Sequence, residues 1–90
     1  MSNEPKATHE IKCWPEFFNP AYLGDKPFEI RLNDRDFKVG DTILLREYDN
    51  KKDRFTGDWV FQKITYITDF KQKRGYVVLA TETIELSPPF

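Results

Sequence analysis

One cysteine and one histidine stand in a chain of 90 residues. Cys13 cannot make an internal disulfide, which excludes a disulfide-stapled secreted scaffold. With His9 it cannot build a structural zinc site of the Cys/His kind, and no metal or other cofactor is expected. Long apolar runs are also missing. The longest is Tyr76 to Ala80, far short of the roughly 20 residues that a membrane helix needs, so no membrane partner is expected. Met1 to Thr8 lack the apolar stretch of a signal peptide, and the sequence predicts a cytoplasmic protein. Net charge is nearly absent, at -1 from 14 Lys+Arg and 15 Asp+Glu. A protein that holds nucleic acid by bulk charge is strongly basic, so any such contact here must be local. The balance does conceal an asymmetry. Residues 51–74 carry seven bases against three acids, and residues 1–50 carry seven against ten. Solvated loop lysines account for the basic segment as well as a contact patch does.

Aromatic residues are plentiful: two Trp, four Tyr and eight Phe, 16% of the chain. A disordered chain has no core in which to place them. A chain of this length divides into no more than one core, so one small aromatic-rich domain is predicted. Residues 1–8 read as a disordered lead-in, 9–86 as the domain and 87–90 as a tail. Pro88 and Pro89 have no N–H to give to a ladder.

Between the ends the dominant period is two. Strands are predicted at His9 to Trp14, Phe28 to Asn33, Thr42 to Tyr48, Trp59 to Thr68, and from Tyr76 to Leu79 or on through Ile84. Asp49 to Asp58 reads as a long hairpin loop and Gln72 to Gly75 as a shorter one. One helical segment fits, from Pro15 to Leu23, with Pro15 at a first helical position and Gly24 beyond the end. Pro20 inside it predicts two short turns rather than one helix. Five strands with so little helix predict a mainly β (α+β) fold, a small barrel of about five strands with one or two short helices.

The stretch Gly24-Asp25-Lys26-Pro27-Phe28-Glu29-Ile30-Arg31 holds the most chemistry. Its alternation predicts Phe28, Ile30 and Leu32 in the core, with Glu29 and Arg31 together on the other face. Lys26 stands where helix gives way to strand, so ammonium, carboxylate and guanidinium converge. Such a cluster can bind a polar ligand or hold a carboxylate as a general base. It is equally the pattern of a surface ion-pair row worth about 0–1 kcal/mol per pair.

The order Gly24-x-Lys26-x-x-Glu29-x-Arg31, then Phe37-x-Val39-Gly40-Asp41 leading into an apolar strand, resembles the ASCH family, small β-barrels of the PUA-like superfamily. His9-Glu10-Ile11-Lys12, Asn33-Asp34-Arg35, Thr65-Tyr66-Ile67 and Gly75-Tyr76-Val77-Val78-Leu79 are similar to a branch of small bacterial and phage ASCH-like proteins. The resemblance implies a cleft between helix and barrel, lined by Lys26, Glu29 and Arg31, that binds RNA, a nucleotide or a modified nucleoside. Two alternatives accompany it. One is a small hydrolase, a ribonuclease or nucleoside amidohydrolase, using the same cleft. The other is a phage-encoded protein-interaction module. Family members that deacetylate cytidine carry a threonine nucleophile where Glu29 stands here, and a carboxylate does not replace it in acyl transfer. For a ribonuclease, Glu29 would be the base, Lys26 or Arg31 would stabilise charge on phosphorus, and His9 would be the acid. Arg35 can reach a phosphate or pair with Asp34 or Asp36. Tyr76 can face a ligand or be buried with its hydroxyl bonded. Trp14, Phe17 and Phe18 can stack a base or fill the core. Cys13 reads as a small buried hydrophobe.

Overall fold

A computed structural model of the chain describes residues 4–88. Among the described residues, five strands, β1 (His9–Cys13), β2 (Phe28–Leu32), β3 (Thr42–Asp49), β4 (Arg54–Thr68) and β5 (Tyr76–Leu86), and one helix, α1 (Pro15–Tyr22), make up the fold. The strands form a single sheet in the order β1-β3-β4-β5-β2. Only the β1–β3 pair is parallel, with His9 opposite Ile43 and Cys13 opposite Glu47. Register shifts at Arg46/Tyr48, Phe61/Gln62 and Ile64/Tyr66 mark bulges. Each adds local twist, and the sheet curls into a half-barrel around Ile11, Ile43, Leu45, Val60, Ile64 and Leu79.

The helix is continuous through Pro20, where two turns were expected. The hydrogen bond that Pro20 cannot donate would go to the carbonyl of Glu16, an exposed first-turn residue. At the other end the proline carbonyl is well used. It accepts from the N–H groups of Asp25 (2.9 Å) and Lys26 (3.1 Å), while Gly24 N–H reaches Ala21 O at 3.2 Å. This is a Schellman ending, and Gly24 takes the left-handed position at φ +85° without a side-chain clash. It turns the chain sharply and delivers Lys26 and β2. Phe18 and Ala21 are buried in the core, and the Tyr22 hydroxyl donates to Ser87 O at 2.9 Å, tying helix to chain end.

The hairpin between β3 and β4 has a shorter loop than the expected Asp49 to Asp58, because pairing continues out to Asp49 opposite Arg54. Tyr48 and Phe55 meet edge to face at 5.1 Å, and Arg46 lies over the Phe55 ring at 4.4 Å. These contacts hold a polar arm in strand form where composition suggests a loop. The Asp49 carboxylate accepts from Lys51 and Lys52 N–H. Those two bonds hold its pKa below the usual range.

Of the lead-in, Glu4 pairs with Arg46 at 3.2 Å, and Thr8 and Thr42 exchange hydrogen bonds. Residues 1–3 of the lead-in and 89–90 of the tail lie outside the described residues. Ser87, also assigned to the tail, is buried; its N–H donates to Trp59 O at 3.0 Å and its hydroxyl oxygen accepts from Trp59 N–H at 3.1 Å. No helix among the described residues is long and apolar enough to cross a membrane.

One expectation is reversed. Phe28, Ile30 and Leu32 face outward, Ile30 being 54% exposed, and Glu29 points inward at 2%. Opposite Glu29 and Arg31 stand Leu79 and Val77, both buried in the core. The alternation is real but its faces are exchanged. Inside, Glu29 meets two cations that satisfy it, and outside no described element covers the apolar row. Truncation should separate core from edge in urea unfolding. Ile64→Ala should cost about 2–5 kcal/mol, and Ile30→Ala no more than about 0.5 kcal/mol. Equal losses would put Ile30 in the core.

Candidate functional site

The half-barrel leaves β1 and β2 as its two edges, and among the described residues no ladder joins them. Side chains bridge the gap instead. Arg31 Nη2 lies 3.5 Å from Lys12 O, and Arg35 Nη1 donates to Glu10 O at 2.9 Å. Both carbonyls belong to β1, an edge strand, so the guanidinium groups serve acceptors that no neighbouring strand on that edge takes.

A cleft of about 500 Å³ opens at this seam, lined by Lys12, Cys13 and Trp14, by Phe17 at the start of α1, and by Lys26 and Phe28 to Arg31. At its floor is the Glu29 carboxylate. Lys26 Nζ donates to Oε2 at 2.8 Å, while Arg31 Nη2 (3.0 Å) and Nε (3.2 Å) both donate to Oε1. Three charge-assisted bonds compensate a group that would otherwise be costly to bury. The two cations are more exposed than the anion between them, so the cluster shows donors to the cleft and has a net charge of +1.

Trp14 and Phe17 are 48% and 50% exposed. Only Trp14 stands between β1 and Pro15, the first residue of α1, and this places the two rings on the cleft wall. The three aromatics considered together in the sequence therefore separate: Phe18 fills the core, and Trp14 and Phe17 are free to contact a ligand.

Of the expected site residues, Lys26, Glu29 and Arg31 converge. Arg35 joins the seam but binds Glu10 O rather than Asp34 or Asp36. His9 lies outside the cleft. Four residue steps along β1 separate it from Cys13, about 13 Å. Its Nε2 pairs with Asp41 Oδ2 at 2.9 Å, and its ring meets Phe37 at 4.7 Å. The bond to His9 holds the Asp41 carboxyl below its usual range, helped by the Lys38 N–H. Tyr76, opposite Leu32, stands on the outer face of the sheet, away from the cleft. No group of three His, Cys, Asp or Glu side chains among the described residues can hold a metal ion.

Cys13, Lys12, Phe28 and Ile30 line the cleft without having been singled out for it. The signal available was the helix start directly after β1, which brings the end of that strand to the motif. Burial first, and then the Glu29 charge, push the Cys13 thiol up to about 11 from an ordinary 9.0. Two pKa units leave about a hundredth of the usual thiolate at pH 8. Native protein should therefore react with iodoacetamide about 100-fold more slowly than the same protein in urea. Comparable rates would mean an open, ordinary thiol.

Two comparisons bear on this arrangement. Residues 8–81 match the family described as "Domain of unknown function (DUF3850)". A protein of Escherichia phage P2, described as "Uncharacterized 12.9 kDa protein in GpA 3'region", is 35% identical over 81 residues, covering 89% of this chain and 72% of the relative. The matched span runs from the residue before β1 into β5 and includes every residue that lines the cleft.

Proposed function

The chain belongs to the family described as "Domain of unknown function (DUF3850)", and we propose that it binds RNA, a nucleotide or a modified nucleoside in the seam cleft. The observation behind the proposal is the pairing of two half-exposed aromatic rings, Trp14 and Phe17, with cationic donors on one concave surface. A base has a flat apolar face and a polar edge. Trp14 and Phe17 offer stacking surface, and Lys26 and Arg31 offer donors to carbonyl or phosphate oxygens. The cleft volume falls in the range of small-molecule sites. Glu29 Oε2 has one bonded donor, so a lone pair is left for an amino group on the ligand. The convergence of Lys26, Glu29 and Arg31 in one cleft also supports the ASCH-like, PUA-like reading of the fold. A cytoplasmic location belongs to the same proposal.

Binding is favoured over hydrolysis. His9, the expected acid, stands about 13 Å along β1 from Cys13 at the cleft wall, too distant to act there in this geometry.

The test is a titration with the four nucleoside 5′-monophosphates and a short single-stranded RNA, in a Trp59→Phe background so that Trp14 fluorescence reports binding. For variants that keep the native circular dichroism spectrum, Lys26→Ala and Arg31→Ala should each cost about 1.5–3 kcal/mol, roughly 10- to 150-fold in Kd. Lys51→Ala and Lys73→Ala should cost a few tenths of a kcal/mol, lost on adding salt. Greater loss from the loop variants, or no binding of any of these ligands, would overturn the proposal.

A further inference from the structure

The outer face of β2 has no cover. Across β2, β5 and β4 the register sets Phe28 beside Ala80 and Tyr66, Ile30 beside Val78 and Thr68, and Leu32 beside Tyr76. None of these outward positions bears a charge. Phe28, Ile30, Leu32, Tyr66 and Tyr76 are each between 39% and 63% exposed. The outward face of a sheet in a monomer is normally polar, with apolar residues scattered singly. Here the inverted alternation of β2 gathers them into one patch and turns the charged residues inward.

We propose that this face is the contact surface of a homodimer, two copies packing β2–β5–β4 against β2–β5–β4. Three observations point to a second copy. A face with no charge has nothing to repel its own image across a two-fold axis. The patch ends at Lys63 and Glu82, exposed and opposite each other in the register, so an antiparallel copy meets a rim that contains both signs. The five large side chains expose roughly 500 Å² per copy, and two copies would bury about 1,000 Å², the lower bound for a specific interface. That area fits a reversible dimer with a micromolar dissociation constant rather than a permanent one. Phe28 and Ile30 belong to both the patch and the cleft lining, so the partner would stand at the rim of the cleft. The dimer does not depend on the ligand proposed above.

Sedimentation equilibrium of the full chain from about 5 to about 500 µM tests this. The wild type should shift from monomer to dimer across that range. Ile30→Glu places one unpaired carboxylate per copy in the contact and should raise the dissociation constant about 100-fold or more. Ile30 is exposed on an edge strand, so the variant should keep the native circular dichroism spectrum. Tyr66→Lys, on a different strand, provides an independent second variant and should act in the same direction. A wild type that stays monomeric to 500 µM overturns the proposal, whether or not it adheres to neutral phosphatidylcholine vesicles. So does a dimer that neither substitution weakens.

Discussion

The Glu29 carboxylate, buried and shared between Lys26 and Arg31, is the interaction on which the seam depends. An unpaired carboxylate in that position would turn outward to water. Three donors at 2.8 to 3.2 Å let it lie inside the half-barrel. The cluster fixes which face of β2 looks inward. It also holds Arg31 where its far nitrogen reaches the β1 edge, and it lays donors along the floor of the cleft. The exposed apolar face is the other consequence of the same choice. With Glu29 and Arg31 inside, Phe28, Ile30 and Leu32 have to be outside.

The local sequence delivers the parts. Pro15 begins the helix one residue after β1, which sets Trp14 and Phe17 on the cleft wall. The Schellman ending at Gly24 turns the chain so that Lys26 arrives two residues before β2, on the side of the buried carboxylate. Arginine then does at the seam what a sixth strand would do, offering N–H groups to the Glu10 and Lys12 carbonyls. A side chain gives fewer bonds than a strand but leaves room between the edges, and that room is the cleft.

Much of this is legible in the residues. All five strands are located: β2 by its period-two alternation, β4 by its β-branched and aromatic residues, and β5 by its continuous apolar run. The convergence of Lys26, Glu29 and Arg31 follows from their spacing around a strand start. The facing of β2 is not legible. Alternation defines two faces without saying which is inside, and the usual choice assumes that charges cannot satisfy one another in the interior. Partners from distant segments are hidden for a similar reason. The bonds from Arg35 to Glu10 O and from His9 to Asp41 span 25 and 32 residues, and nothing in either neighbourhood announces them. The β3–β4 arm outlasts its predicted strand because Tyr48, Phe55 and Arg46 stack across it, a cross-strand effect that single-segment propensity does not contain. Pro20 sits in a helix because the one bond it forfeits is at an exposed turn.

The central claim is that Glu29 is an interior anion compensated by Lys26 and Arg31, and a stability measurement with a rescue tests it most directly. Urea unfolding of Lys26→Ala/Arg31→Ala should show a loss of about 3–5 kcal/mol, the cost of leaving a buried charge uncompensated. Adding Glu29→Met to that double variant should recover a substantial part of the loss, because an apolar side chain of similar size needs no partner there. A double variant within about 1 kcal/mol of the wild type, or a triple variant no more stable than the double, would contradict the account.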